Sequence, residues 1–367
     1  MAAVACVMAE DRSGRTWKRV LQRFSRLEYV VSDDGGGITS AVKTIAAERV
    51  AAVDVDATET GETAERAVES VPALEHGLDL FHTTREAGRA LGRRRRETVK
   101  LWDAAEAADL RKTRDQRQGK SCLKSAKAAA RAWKKAAAAL ECWDRQRSAW
   151  RRVRAAFEVF DDSGRLNDRL RAAREIEAGL AELPGREWAK VRRFARDRRS
   201  LAFLDRLHRR LEKAEPCPRQ REAMTWRWWL RHRRGGVASS SGERSPLSEL
   251  TATLEQSVRV GKLEGEEAIS YEKVSAELRG VVRASSVVEC MNSVLRLDAT
   301  HHRRMTQTML DLKRLYWNMR RFRSGPRRGA CPYERLGICL PTFDFWELLQ
   351  TNPRELTQRL STQENTK

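Results

Sequence analysis

The sequence lacks the features of a secreted, zinc-binding or membrane-spanning protein. Its seven cysteines are scattered, with no Cys-x-x-Cys pair and no paired histidine spacing, which argues against a disulfide framework or a zinc site. No apolar run approaches the roughly 20 residues that a membrane span needs, and the apolar run at 2–9 is too short for a signal peptide. We therefore expect a cytoplasmic protein with reduced thiols and no membrane segment.

Positive charge is what the chain has in excess. Its 367 residues carry a net charge of +21 and give a pI near 10.3, and this length is enough for two or three domains. Arginine dominates the basic residues, and its planar guanidinium suits phosphate contacts. The composition predicts nucleic acid as the leading partner, with an acidic membrane surface as the weaker alternative.

The most informative stretch is 284–349, which opens with Ser-Ser-Val-Val-Glu-Cys-Met-Asn-Ser-Val-Leu-Arg at 285–296. Ser286 followed three residues later by Glu289 forms a capping-box pattern, so we expect a helix to begin there. Further on, apolar residues at helical spacing predict a helix with one dry face: Met305, Met309, Leu312, Tyr316 and Met319. Beside them runs a basic and aromatic stripe that would face a polyanion: Lys313, Trp317, Arg320 and Arg321.

This block resembles the C-terminal part of bacterial insertion-sequence transposases of the Asp-Asp-Glu class. The resemblance extends from 285–296 to Leu-Asp-Leu-Lys-Arg-Leu-Tyr-Trp-Asn at 310–318, Pro-Tyr-Glu-Arg-Leu-Gly at 332–337 and Trp-Glu-Leu-Leu at 346–349. It implies Glu289 as the third metal-binding carboxylate, Asn292 as a supporting residue, and DNA contacts through Arg296 and the basic stripe. It also implies an RNase H-like fold and a two-ion site for Mg²⁺ or Mn²⁺ that cuts and joins DNA.

The N-terminal region predicts alternating strands and helices. Strands are expected at 4–8 and 27–32 and helices at 16–24 and 38–50, an order that favours a partly parallel sheet. Asp33 ends the second strand, where ligands bind in such sheets. Tyr-Val-Val-Ser-Asp-Asp-Gly-Gly-Gly-Ile at 29–38 resembles the second-Asp segment of the same transposases and implies Asp33 as a catalytic metal ligand, with Asp34 as the alternative. An ordinary Asp- and Gly-rich turn is the competing interpretation.

A second polar pair follows the first strands. Residues 51–76 have little pattern and predict a surface insertion, after which 77–82 predicts a short strand with a polar end. Asp79 and His82 in that strand resemble the Cys/Asp-x-x-His signature that some related transposase superfamilies carry between the second Asp and the Glu. A strand-end carboxylate with a core histidine is the alternative.

Residues 85–234 predict four to six helices with breaks at 163–164, 184–185 and 216–218. Arginine clusters at 93–96, 151–154, 192–199 and 231–234 predict a phosphate-tracking surface, although a solvated helix face explains any one of them. Four tryptophans are expected to anchor the packing of these helices: Trp133, Trp143, Trp150 and Trp188. A flexible linker at 235–242, a helix at 247–263 and a polar connection at 264–284 would lead to the Glu289 helix.

The predicted fold is mainly α with a partial α/β sheet of the RNase H-like kind and a large all-helical insertion between the second Asp and the Glu. The domains would be a partial catalytic domain at 1–84, an Arg-rich helical insertion at 85–246, the C-terminal return of the catalytic domain at 247–350 and a polar tail at 351–367. The boundary after residue 84 follows a change of composition.

The family's first catalytic Asp would lie upstream of the matched segments, so the resemblance implies an N-terminally truncated and catalytically impaired DNA transposase. An upstream start that restores this Asp is one alternative. A non-enzymatic basic helical protein that binds nucleic acid is another, and a decayed gene product is a third. DNA is the expected partner of the first, and homo-oligomerisation is left open.

Overall fold

The protein is described by a computed structural model at residues 7, 9, 11–59, 74–232, 265–283, 291–293, 305–323, 328–338, 340–356 and 358, with the backbone alone for 52–59. The elements, in chain order, are α1 (Gly14–Leu21), β1 (Tyr29–Ser32), α2 (Gly36–Glu59), β2 (Glu75–Leu78), α3 (Leu80–Arg117), α4 (Leu123–Ala156), α5 (Arg169–Ala181), α6 (Ala189–Arg196), α7 (Ala202–Ala214), α8 (Pro218–His232), α9 (Glu266–Arg279), α10 (Gln307–Met319), α11 (Pro332–Arg335) and α12 (Phe345–Gln350). The expectation of a mainly helical chain with a small parallel sheet is confirmed.

The backbone contacts divide the chain into two compact units. One contains residues 26–35 and 46–285, and the other contains 1–25, 36–45 and 286–367. In the first unit, β1 and β2 lie with the helices from α3 to α9. The domain boundaries expected from composition remain a prediction.

The described sheet consists of β1 and β2, which pair in parallel from Tyr29 opposite Glu75 to Ser32 opposite Leu78. Position 77 requires a glycine, because a Cβ at Gly77 would lie 2.0 Å from the Oη of Tyr29. Burial raises the pKa of Tyr29 to about 12. The strand expected at 77–82 is β2 in the structure, which begins two residues earlier and ends four residues earlier than predicted.

Helices α3 and α4 form a long antiparallel hairpin. The Thr98 hydroxyl donates to the carbonyl of Ala139 at 3.3 Å, and nearer the turn the Trp102 and Trp133 rings meet edge to face at 5.0 Å. The two backbones approach closely because the buried positions between them are small: Ala105, Ala129 and Ala136. Gly119 closes α3 with a φ of +65°, a conformation that glycine adopts without steric cost.

The inner half of this hairpin packs on α5 and α6 around a large apolar core. Trp188, Ile176 and Val153 are almost completely buried there. Gly179 of α5 lies so close to α4 that a Cβ would meet the Val153 side chain at 2.4 Å. We call α5–α9, together with the inner halves of α3 and α4, the helical body.

A second apolar cluster joins α7, α8 and α9. Its fully buried members are Leu207, Leu211 and Val274, with Leu278 from α9 beside them. The expectation of a polar connection at 264–284 is therefore wrong. Its many charged residues hid the apolar i, i+4 spacing of Val274 and Leu278, which places both on one face of α9.

Within the other unit, α1 starts against the beginning of α2. A Cβ at Gly37, in the first turn of α2, would lie 1.9 Å from the carbonyl oxygen of Arg12, so packing requires a glycine at this position. Asp11 and Ser13 organise the start of α1, and a hydrogen bond from the Thr16 hydroxyl lowers the pKa of Asp11 to about 2.

The surface insertion expected at 51–76 is wrong at both ends, since α2 continues to Glu59 and β2 begins at Glu75. The predicted breaks at 163–164 and 184–185 fall between helices, and the break at 216–218 ends on the first residue of α8. Trp150 and Trp188 are buried as expected, whereas Trp133 and Trp143 are half-buried. The linker at 235–242, the helix at 247–263 and all but one residue of the strand at 4–8 lie outside the described residues.

Candidate functional site

The carboxyl edge of the sheet brings two predicted site residues together. Asp33 follows Ser32 directly, Asp79 follows Leu78 directly, and Ser32 and Leu78 are register partners. The backbone N–H of Asp79 donates to the carbonyl of Ser32 at 2.8 Å, which fixes the second chain segment against the first at this edge. Both carboxylates therefore leave the sheet at the end where parallel sheets bind ligands.

Asp79 and His82 form a pair at the start of α3. One oxygen of Asp79 accepts from the backbone N–H of Phe81 at 2.9 Å and caps the helix, while the other lies 3.5 Å from Nε2 of His82. Asp79 is 1% exposed. The Asp-x-x-His pair thus belongs to a strand-to-helix junction and not to a strand, because a carboxylate at this position satisfies the first turn of a helix.

Asp33 and Asp34 have different surroundings. Asp34 has a φ of +66°, and its Oδ1 accepts from Arg199 at 2.6 Å. Its second oxygen lies 4.0 Å from the guanidinium of Arg193. Asp33 is exposed at the strand end. Since arginines already hold Asp34, the geometry favours Asp33 over Asp34 as a carboxylate open to a ligand.

Arg199 is a site residue that the sequence did not single out. It donates to Asp197 as well as to Asp34, and its Nη1 lies 3.4 Å from Nδ1 of His76 on β2. The hydrogen bond from Arg199 lowers the pKa of Asp197. His76 in turn meets the Ser32 hydroxyl at 2.8 Å. The only sequence signal for this group was the arginine cluster at 192–199.

The described residues do not by themselves assemble a metal site. Among them, no group of three or more His, Cys, Asp or Glu side chains is arranged to hold an ion. Asp33 suits a hard cation such as Mg²⁺, whereas the oxygens of Asp79 and Asp34 are already engaged. Glu289 lies outside the described residues.

The C-terminal site residues are described in part. Asn292 is half-buried within a helical stretch at 291–293, and Arg296 lies outside the described residues. Lys313 and Trp317 are half-buried on α10, which Thr306 caps by accepting from the Met309 N–H.

The single helical stripe predicted for these residues is wrong, because α10 ends at Met319 and Arg320 is extended. Arg321 donates to Glu334 at 2.6 Å and to the carbonyl of Gly329 at 2.8 Å. The predicted dry face is also incomplete, since Leu312 and Tyr316 are exposed. The basic pattern in the sequence continues past the end of α10. The spacing of Arg320 and Arg321 in the sequence is the same whether the chain there is helical or extended, so the pattern does not show where the helix ends.

The arginine clusters differ in how much of their charge is already bound. In the cluster at 192–199, Arg192 donates to two backbone carbonyls and Arg196 forms a two-oxygen ion pair with Glu177. In the cluster at 93–96, by contrast, exposed guanidiniums have no carboxylate within 4.0 Å in the described part of the chain: Arg93, Arg95 and Arg96. A phosphate-tracking surface is therefore better supported on α3 than at 192–199.

Comparisons of the chain with protein-family profiles, with curated proteins and with solved structures found no match. Within the described ranges, no helix is both long and apolar enough to cross a membrane.

Proposed function

We propose that this protein is a DNA transposase of the Asp-Asp-Glu class, with Asp33 and Glu289 as metal-binding carboxylates. One observation carries the proposal: Asp33 and the Asp79–His82 pair, matched separately to transposase segments, leave the same carboxyl edge of two parallel strands. The helical region that follows this edge, between Asp33 and Glu289, supports the same interpretation.

The residues have distinct roles in this proposal. Asp33 and Glu289 would hold Mg²⁺ or Mn²⁺, which activates the attacking oxygen and stabilises the leaving oxygen in phosphoryl transfer on DNA. Asp79 orients His82 and anchors the start of α3, so it is a positioning residue. Asn292 supports Glu289. The DNA would be contacted by residues in the C-terminal region: Arg296, Lys313, Trp317, Arg320 and Arg321.

The test is metal-dependent nicking of supercoiled plasmid DNA by the purified chain and its variants. Asp33→Asn and Glu289→Gln should each lower the nicking rate by about a hundredfold or more, because each removes a metal ligand. Asp34→Asn is the matched control and should retain most of the rate, since Arg199 holds that carboxylate away from a metal role. Full nicking by Glu289→Gln, or no metal-dependent nicking by the unaltered chain, contradicts the proposal.

A second candidate is a non-enzymatic, basic, helical protein that binds nucleic acid. The exposed arginines at 93–96 of α3 favour it, because they need no catalytic carboxylate. In that case the chain would bind duplex DNA without nicking it, and Asp33→Asn and Glu289→Gln would leave the affinity unchanged.

A further inference from the structure

The outer end of the α3–α4 hairpin concentrates positive charge. We call residues 110–135 the hairpin tip; it contains ten basic residues and one acidic residue, a net charge of +9. Six of the ten are lysines: Lys112, Lys120, Lys124, Lys127, Lys134 and Lys135. No other site assigned above includes these residues. The basic residues are spread over α3, α4 and the turn between them, and they do not form one contiguous run in the sequence.

These side chains are exposed and largely without carboxylate partners. Nine of the ten are exposed and one, Lys112, is half-buried. Lys112 lies 3.4 Å from Asp109, and it is the one basic residue of the tip within 4.0 Å of a carboxylate in the described part of the chain. Such charge is available to a partner rather than used in the fold.

The basic residues follow the helix repeat on the exposed side of α4. Lys124, Lys127 and Arg131 recur at intervals of three and four, and Lys134 continues the series. Side chains at this spacing lie about 5–6 Å apart along a helix. The opposite side of α4 is covered by α3 through Ala129 and Ala136. The basic side chains of α4 therefore form a row along one side of the helix and are not scattered around it.

The beginning of α4 adds a local reason to expect an anion. Cys122 makes no side-chain cap, and the first turn contains no acidic residue. Lys124 lies in that first turn, where the partial positive charge of a helix N-terminus already disfavours a cation. The row therefore begins at a place where a bound anion would relieve the repulsion.

We propose that the hairpin tip binds the phosphodiester backbone of a nucleic acid and that this binding is independent of the base sequence. The inference uses the proposed function only in taking duplex DNA as the probe. A nucleic acid fits better than a membrane, because a membrane-binding helix presents an apolar face with its basic one. The large exposed apolar residues of the tip are instead two separate leucines, Leu110 and Leu123.

The experiment measures the affinity of the full chain for duplex DNA of unrelated sequences between low and moderate salt. The tip variant combines Lys124→Gln, Lys127→Gln, Arg131→Gln and Lys134→Gln. It should bind every sequence more weakly, and the slope of log K against log salt should become shallower by about 3 to 4, because each phosphate contact contributes about 0.9. Lys124→Arg with Lys127→Arg keeps the charge and should keep the slope.

The matched control removes the same net charge from exposed but ion-paired arginines: Arg152→Gln, Arg196→Gln, Arg209→Gln and Arg279→Gln. Its slope should change by less than about 1, since those guanidiniums are bonded to glutamates. Equal slope changes in the two variants would mean that only net charge matters and would overturn the proposal. So would an unchanged slope in the tip variant accompanied by lost binding to vesicles of anionic phospholipid.

The two proposals fail separately. Asp33→Asn should keep the full salt slope of the unaltered chain while it loses nicking. A chain that binds DNA through the tip but never nicks it contradicts the transposase assignment and supports the tip. A chain whose nicking depends on Asp33 but whose salt slope is unaffected by the tip variant does the reverse. Circular dichroism of both variants should show the helix content of the unaltered chain.

Discussion

The helical body and the hairpin tip use basic residues in opposite ways. In the body, arginines join distant parts of the chain: Arg206 bonds Glu28 and Glu75, and Arg210 bonds Glu277. At the tip, nine exposed cations have no such carboxylates among the described residues. Apart from the exposed arginines at 93–96, this charge is structural in the body, whereas it is available for binding at the tip.

This difference shows that net charge alone does not locate a binding surface. The cluster at 192–199 contains five arginines, yet three of them bond to carbonyls, Glu177 and Asp197: Arg192, Arg196 and Arg199. The tip relies more on lysine, whose hydrated ammonium forms fewer fixed ion pairs than the arginine fork does. Arginine therefore supplies fixed geometry in the body, and lysine supplies five of the nine exposed cations at the tip.

The two regions also differ in what holds them together. Large apolar side chains fill the body, whereas the outer hairpin is joined by alanines and one tryptophan pair, the exposed Trp102 and the half-buried Trp133. Trp188 is fully buried, and its Nε1 donates to Gln146 at 3.2 Å. Trp102 is 38% exposed, meets the Trp133 ring edge to face, and donates from its Nε1 to Glu106 at 3.0 Å.

The largest expected effect comes from deleting the body's central aromatic. Trp188→Ala should lower the free energy of unfolding by about 3–5 kcal/mol, because it leaves a cavity and strands a polar partner. Trp102→Ala should cost about 1 kcal/mol, the order of one aromatic pair. Urea unfolding followed by circular dichroism measures both. Equal costs for the two substitutions would contradict the division between body and outer hairpin.

A smaller effect should separate structural from available charge. The Arg206 side chain is 15% exposed, and its guanidinium bonds two glutamates and lies over the Tyr29 ring, so we expect Arg206→Met to lower the stability by about 1–3 kcal/mol. Lys134→Met on the tip should change stability by less than about 0.5 kcal/mol. The same urea titration serves both variants. A destabilised Lys134→Met would show that the tip lysines are part of the fold.

Local patterns in the sequence located much of this architecture. The apolar spacing of 38–50 and the turn after Ser32 predicted α2 and the end of β1, because both depend on neighbours within a few residues. Proline and glycine pairs marked the helix breaks for the same reason. Asp33 was placed at a strand end by this local logic.

The paired arginines could not be found in that way. Arg209 meets Glu75 across 134 positions of the chain, and Arg199 meets Asp34 across 165. No pattern in a single sequence joins such distant residues, so clusters that are already bonded look the same as free ones. The Asp79 cap has a local signal in the sequence. The strand predicted at 77–82 runs over the start of α3, and for that reason the cap is not recognised from the sequence.

The tip was overlooked for a different reason. Its basic residues stand three and four positions apart among alanines, so no contiguous run of charge marks them. They form a surface only after the helix brings those positions onto one side and the hairpin removes the other side from solvent. A search at helical spacing would have found the row at 124–134.

The smallest effect is also the one that separates folding from binding most directly. Lys124→Glu puts an acidic residue in the first turn of α4 and should stabilise the protein by about 0.3–1 kcal/mol, because it complements the helix dipole. The same change should weaken DNA binding, since it reverses a charge that would face phosphate.

Lys134→Glu is the matched control: each substitution turns one like-charge i, i+3 pair into an opposite one, but only Lys124 lies at the helix end. Lys134→Glu should therefore weaken binding with a smaller gain in stability. Loss of stability in Lys124→Glu would mean that the lysine serves the fold, and the contrast between tip and body would fail at this residue.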